Sequence, residues 1–133
     1  MSLSVLNQYK QNSILTAAPE ELTLMLFDGA IKFVNLGKIH IENGEIEKAN
    51  SAILRAQDII VELDSSLDMK YEISKNLDEI YKFILNRLIA ANLKKDIAPL
   101  DESLELLNEI RDTWKELTRE IKKMRYGNKQ VKI

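Results

Sequence analysis

Hydrophobic residues recur every three or four positions along most of the chain, which is the spacing of an amphipathic α-helix. The repeat is clearest in the second and fourth predicted helices. The repeat of the second runs through Ile46, Ala49, Ile53, Ala56, Ile60 and Leu63, and continues to Leu67 just after the helix. The fourth contains Leu107, Ile110, Trp114, Leu117, Ile121 and Met124. Turn-forming or polar stretches interrupt the repeat three times and divide it into four helices.

The predicted helices span residues 19–43, 45–65, 72–95 and 97–125, and their ends carry recognisable signals. Pro19 suits a first helical position, and Gly44 can adopt the left-handed conformation that ends a helix. Asp96 is a good N-cap for the fourth helix, whose first turn tolerates Pro99. Residues 1–17 form a predicted N-terminal arm, 18–125 a helical bundle, and 126–133 a flexible basic tail.

Four helices with short connections predict an all-α fold, an antiparallel up-down four-helix bundle. The arm before it is expected to be extended or a short helix. A chain of 133 residues suggests one domain. Four Gly and two Pro are too few for the many turns of an all-β fold. A helical solenoid would need internal repeats, and the sequence contains none.

The apolar arcs of three helices are wider than the roughly 100° that a bundle helix needs to bury. On helix 3 the arc spans about 180° on ideal helical geometry and includes Tyr81, Leu85 and Ile89. On helix 2, Leu54 and Val61 lie off the main seam, and helix 1 is apolar most of the way round. Two interpretations stay open: an unevenly buried core, or a surface groove of the kind that takes amphipathic partner helices.

Residues for catalysis are scarce. The chain has no Cys and one histidine, His40, and no nucleophile motif or phosphate-binding loop accompanies it. Bundle metal sites repeat Glu-x-x-His, but Gly37 stands three residues before His40. The sequence therefore predicts no enzyme, no metal and no cofactor. A histidine phosphotransfer domain using His40 is kept as an alternative.

Charge and hydropathy bear on partners and location. A net charge of −2 provides no global field for nucleic acid. No apolar run reaches the 18 or so residues of a membrane span, and no Sec-type signal precedes the bundle. We therefore expect a cytoplasmic protein without nucleic-acid binding or membrane insertion.

Several separated blocks resemble the flagellar export chaperone family FliS, in the same order along the chain. They are "NQYKQNSILTAAPEELTLMLFDGAIKF", "KANSAILRAQDIIVELDSSLD", "EISKNLDEIYKFILNRLIAANLKKD" and "LLNEIRDTWKEL". The similarity runs from about residue 6 to residue 117. One departure is Ala18, where the family often has Ser or Thr before the proline; losing that N-cap costs about 1 kcal/mol.

The resemblance implies a non-enzymatic cytoplasmic chaperone of flagellated bacteria. Its client would be the disordered C-terminal segment of flagellin. Binding would prevent premature polymerisation and help to deliver flagellin to the flagellar type III export gate. The N-terminal arm would cover part of the groove and move when the client arrives.

On this resemblance we expect the client to contact apolar anchors on the arm and on helices 2 and 3, with Asn92 bonding client backbone. The expected partner-binding residues are Leu6, Tyr9, Ile14, Leu54, Val61, Tyr81, Leu85, Ile89 and Asn92. Each apolar residue has an alternative place in the ordinary core, and Asn92 has one as a capping residue. A self-associating regulatory bundle, forming a homodimer through the groove or by arm exchange, is the alternative function.

Overall fold

The computed structural model describes the backbone of residues 19–131 and the side chains of residues 19–125. This part of the chain forms four α-helices and no strand, which confirms the all-α bundle. The helices are α1 (Pro19–Glu42), α2 (Ile46–Ser65), α3 (Glu72–Lys94) and α4 (Ile97–Val131). None of them is both long and apolar enough to cross a membrane. The predicted arm, residues 1–17, lies outside the described residues.

The helix ends follow the local signals in the sequence. Gly44 adopts a φ of 72° in the turn after α1, a conformation that costs glycine little. Lys95 takes a left-handed φ of 53° after α3, and the Asp96 side chain then accepts a hydrogen bond of 3.2 Å from the Ala98 N–H at the start of α4. The α4 backbone is helical through Val131, so it continues into the stretch predicted as a tail.

Contacts between distant residues show that neighbouring helices are antiparallel. Along α1 and α4, Asp28 pairs with Arg111 and Lys38 with Asp101, so positions rise on one helix as they fall on the other. The order continues to the start of α1, where Glu20 pairs with Arg125. Within the described residues each helix packs on two neighbours, in the ring α1–α2–α3–α4. The wide apolar arc of α1 therefore faces two helices.

The core lies between all four helices and includes a group of aromatic rings. The Phe27 ring lies 6.3 Å from the Tyr81 ring and 6.1 Å from the Trp114 ring, centroid to centroid. The Trp114 indole N–H donates to the Glu20 backbone carbonyl at 2.9 Å, which satisfies its one polar atom. The aromatic cluster thus joins α1, α3 and α4 on the inside of the bundle.

Candidate functional site

Exposed apolar side chains on α2 and α3 form the first part of the candidate site. Leu54 and Val61 of α2 are 44% and 50% exposed, and Ile89 of α3 is 43% exposed. Leu93, four residues after Ile89 on the same helical face, is 81% exposed. Leu85 packs partly against the core between them. Packed helices hold these side chains in place, so the apolar surface is preformed.

A row of polar residues runs along the seam between the same two helices. On α2 they are Asn50, Gln57 and Asp64, one heptad apart. The Asn92 side-chain amide donates to the Asn50 side-chain oxygen at 2.8 Å, and the Asp64 and Asp78 carboxyls lie within hydrogen-bonding reach. Asn50 therefore lies opposite Asn92, and Asp64 lies opposite Asp78. Because the helices are antiparallel, Gln57, midway between Asn50 and Asp64, lies opposite Leu85, midway between Asp78 and Asn92.

We call this surface the α2–α3 groove. Its apolar members are Leu54, Val61, Leu85, Ile89 and Leu93, and its polar seam consists of Asn50, Gln57, Asp64, Asp78 and Asn92. Five of the partner-binding residues expected from the sequence lie in this groove: Leu54, Val61, Leu85, Ile89 and Asn92.

Tyr81 lies in the core. Its side chain is 2% exposed and packs on Phe27, and burial raises the pKa of its hydroxyl to about 12. On a helical wheel Tyr81 sits 40° from Leu85, between the centre of the core and the groove, so its angle suits both surfaces. The structure places it on the core side, which is the alternative that the sequence left open.

Asn92 has partners within the chain. Besides the bond to Asn50, its backbone carbonyl accepts a 2.6 Å hydrogen bond from the Lys95 ammonium. Its side-chain oxygen is buried and has no hydrogen-bond partner among the residues that the structure describes. Asn92 therefore helps to end α3 and also keeps one acceptor that the fold does not use.

Carboxylates and one ammonium group occupy the other end of the seam. Burial raises the pKa of Asp64, and the neighbouring Asp78 adds to this effect. The hydrogen bond with Asp64 lowers the pKa of Asp78, and Lys82, with its ammonium 3.0 Å from Asp78, lowers it further. This end of the seam therefore holds two carboxyls beside one ammonium.

A second apolar region, which the sequence did not single out, lies where α1 begins and α2 meets α3. A pocket of about 230 Å³ there has Leu67, Tyr71, Leu77 and Trp114 in its wall. Met69, Tyr71 and Ile73 around the same loop are each more than half exposed. The signal available in the sequence was the spacing of large apolar residues through "LDMKYEI", a stretch that is otherwise a polar loop.

His40 is bound to an acidic neighbour. Its Nδ1 lies 3.0 Å from the Glu45 carboxylate, which also contacts Lys48 at 3.1 Å. The carboxylate holds the imidazole ring in one orientation through Nδ1, and the phosphotransfer alternative stays a prediction. Among the residues with described side chains, no group of three or more His, Asp or Glu is arranged to hold a metal ion.

The sequence of this chain is similar to those of a known protein family. The family model described as "Flagellar protein FliS" matches residues 2–121. The flagellar secretion chaperone FliS of Bacillus subtilis (strain 168) is 39% identical over 120 residues, which cover 90% of each chain. That of Vibrio cholerae serotype O1 is 35% identical over 119 residues, 87% of this chain and 88% of the relative. That of Salmonella typhimurium is 32% identical over 111 residues, 81% of this chain and 82% of the relative.

These relatives are all named as chaperones. Since the family model covers most of the chain and the identity extends over nearly the full length of the relatives, the chain belongs to the FliS family of flagellar secretion chaperones.

Proposed function

We propose that this protein is a non-enzymatic cytoplasmic chaperone that binds the disordered C-terminal segment of flagellin along the α2–α3 groove. The exposure of Leu54, Val61 and Ile89 on rigid helices carries the proposal, together with membership of a secretion-chaperone family. Covering the client segment keeps flagellin monomeric until it reaches the flagellar export gate.

The physical chemistry of such a client suits an open groove. A disordered segment pays its ordering cost on binding, so it needs a long apolar interface to obtain net affinity. The apolar side chains of the α2–α3 groove extend over about two turns of each helix, from Leu54 to Val61 and from Leu85 to Leu93. A client helix lying along them buries apolar area without a deep pocket.

The N-terminal arm is the proposed cover in the absence of client. Its apolar residues are Leu6, Tyr9 and Ile14, and it joins the bundle at Pro19. The arm is long enough to reach the pocket beside Thr23 and Trp114, since an extended chain spans about 3.3 Å per residue. We propose that the arm covers this pocket and part of the α2–α3 groove, which reduces the exposed apolar patch of the free protein. Because the arm and the client then share part of the groove, client binding displaces the arm.

Calorimetric titration with the C-terminal segment of the flagellin from the same genome tests the proposal. We expect one-to-one binding with a large negative heat-capacity change, because apolar surface is buried. Replacing Leu54 and Val61 together by Ala should weaken binding at least about tenfold, as expected when central apolar anchors are truncated. Phe83→Ala is the matched control, since Phe83 is 48% exposed but points away from α2.

Removing residues 1–15 should tighten binding if the arm competes with the client. Absence of binding to the intact chain, combined with a mass that rises with concentration, would replace the chaperone proposal by a self-associating bundle. Equal losses in the Leu54/Val61 variant and the Phe83 control would move the client away from the α2–α3 groove.

A further inference from the structure

Unused hydrogen-bond acceptors are concentrated in the seam of the α2–α3 groove. Among the described side chains, four buried polar atoms have no hydrogen-bond partner. Three of them are oxygens of this seam: Gln57 Oε1, Asp64 Oδ1 and Asn92 Oδ1. The fourth is a donor elsewhere on α3, Arg87 Nε. Buried polar atoms are normally paired, so three unpaired acceptors in one row call for an explanation.

The acceptors are regularly spaced along the groove. Gln57 and Asp64 are seven residues apart on α2, and Asn92 is bonded to Asn50, seven residues before Gln57. Seven residues of α-helix rise about 10 Å, so the acceptors stand about 10 Å apart. Apolar side chains border them, with Leu54 and Val61 on one side and Leu85 and Ile89 on the other.

The side chains that carry these oxygens are near the surface. Gln57, Asp64 and Asn92 are each partly exposed as whole residues, although the oxygens themselves are covered. Side-chain rotation is enough to present the oxygens to a molecule lying in the groove. A donor from that molecule would relieve the unfavourable burial of an unpaired acceptor, so the gain on binding exceeds that of an ordinary surface hydrogen bond.

Charge distinguishes the two ends of the row. The Asp64 end contains two carboxyls and the single ammonium of Lys82, whereas the Asn50–Asn92 end is an uncharged amide pair. A cationic donor is favoured at the first end and a neutral donor at the second. A helix bound in the groove would therefore be favoured if it carried a cationic side chain near Asp64 and neutral hydrogen-bond donors near Asn50 and Asn92.

We infer that the α2–α3 groove recognises a client helix that presents hydrogen-bond donors one heptad apart between its apolar anchors, with Lys or Arg opposite Asp64 and amide or hydroxyl donors opposite Gln57 and Asn92. This inference rests on the proposed function, because the client helix is taken from the flagellin C-terminal segment. It explains why a seam between two core-forming helices keeps polar residues at three successive heptad positions.

Stability and client affinity, measured on the same variants, separate a recognition role from a structural one. Gln57→Met keeps the length of the side chain and removes the acceptor. The expected result is an unchanged or higher melting temperature, because an unpaired buried oxygen is lost, together with client binding weakened about fivefold. Asn76→Leu, on the exposed outer face of α3, is the control and should leave affinity unchanged.

Asp64→Asn tests the charge at the other end. We expect about tenfold weaker binding to the flagellin segment and a smaller dependence of the remaining affinity on salt, because one ion pair is lost. Its melting temperature should not fall.

Three results would overturn the inference. Gln57→Met and Asp64→Asn could bind the segment as tightly as the unmodified chain, which would leave the chaperone proposal standing and remove the donor requirement. Affinity and melting temperature could fall together in both variants, which would assign the seam a structural role. Failure of the unmodified chain to bind the segment would remove the proposed function and this inference with it.

Discussion

Tyr81 shows how a single residue can occupy either of two surfaces with similar helical angles. It lies in the core against Phe27, so truncating it removes buried aromatic contacts. We expect Tyr81→Ala to lower the free energy of unfolding by about 3 to 5 kcal/mol, as large core aromatics do. Tyr81→Phe keeps the ring and should cost about 1 kcal/mol or less. Urea unfolding measures both, and a fully stable Tyr81→Ala that still loses client binding would return Tyr81 to the groove.

Asp64 and Asp78 contribute to stability with opposite dependences on pH. Burial raises the pKa of Asp64, so its folded form holds the proton more tightly than the unfolded chain does. The stability it contributes is present at acid pH and is lost as the pH rises through its folded pKa. The hydrogen bond with Asp64 lowers the pKa of Asp78, and the stability that Asp78 contributes is lost as the pH falls.

Asp64→Asn should therefore raise the melting temperature at pH 7, where the unmodified chain buries an ionised group. The advantage should shrink as the pH is lowered from 7 through the folded pKa of Asp64, because the carboxyl then takes up its proton. Thermal unfolding across this range measures the effect, with the exposed Asp58→Asn as control. A constant difference at every pH would show that Asp64 does not titrate differently in the folded state.

At the scale of elements, α1 and α2 approach closely because Gly37 lacks a side chain. A Cβ placed on Gly37 would lie 2.8 Å from Cγ1 of Ile53, whereas one on Gly29 would lie 3.3 Å from Cδ1 of Ile59. We expect Gly37→Ala to destabilise the protein by about 1 to 3 kcal/mol through overpacking. Gly29→Ala should be nearly neutral, because the helix gains up to about 1 kcal/mol in propensity. Denaturant unfolding of the pair is the measurement, and equal stabilities would show that Ile53 moves aside without cost.

The elements also show what was predictable from local signals. The observed bounds of the first three helices agree with the predicted ones within a residue. The signals that end and start these helices, Gly44, the loop before Glu72 and Asp96, depend only on neighbouring residues and can be read from the sequence. The end of α4 was less predictable. Gly127 interrupts a stretch rich in Lys and Arg, which are good helix formers, and the helix continues to Val131.

At the scale of the whole molecule, ion pairs along α1 and α4 join the two ends of the described chain. Glu20 is only 8% exposed, and a hydrogen bond at its own backbone N–H, with Arg125 adding to the effect, lowers its pKa despite burial. Its contribution to stability is therefore present at neutral pH and is lost as the pH falls through the folded pKa. Glu21, which pairs with Lys122, is more exposed.

Arg125→Met should lower the melting temperature at pH 7 more than Lys122→Met does, because it leaves a nearly buried carboxylate without its cation. The loss should diminish on acidification, when Glu20 becomes neutral. Calorimetric scans at several pH values compare the two variants. Equal losses at pH 7 would indicate that the burial of Glu20 does not matter to the pair.

The sequence by itself determined the helices, most of their ends and the family, because helical period, turn residues and shared blocks are properties of the chain order. It also indicated that α2 and α3 carry more apolar surface than one core stripe requires. Tertiary structure alone decided which of those residues face water. A helical angle is set locally, but burial depends on the residue opposite. Phe27 packs against Tyr81, whereas no helix of the described chain, residues 19–131, covers Leu54, Val61 or Ile89. The register that joins Asn50 to Asn92 likewise required the packed pair, since it aligns residues 42 positions apart.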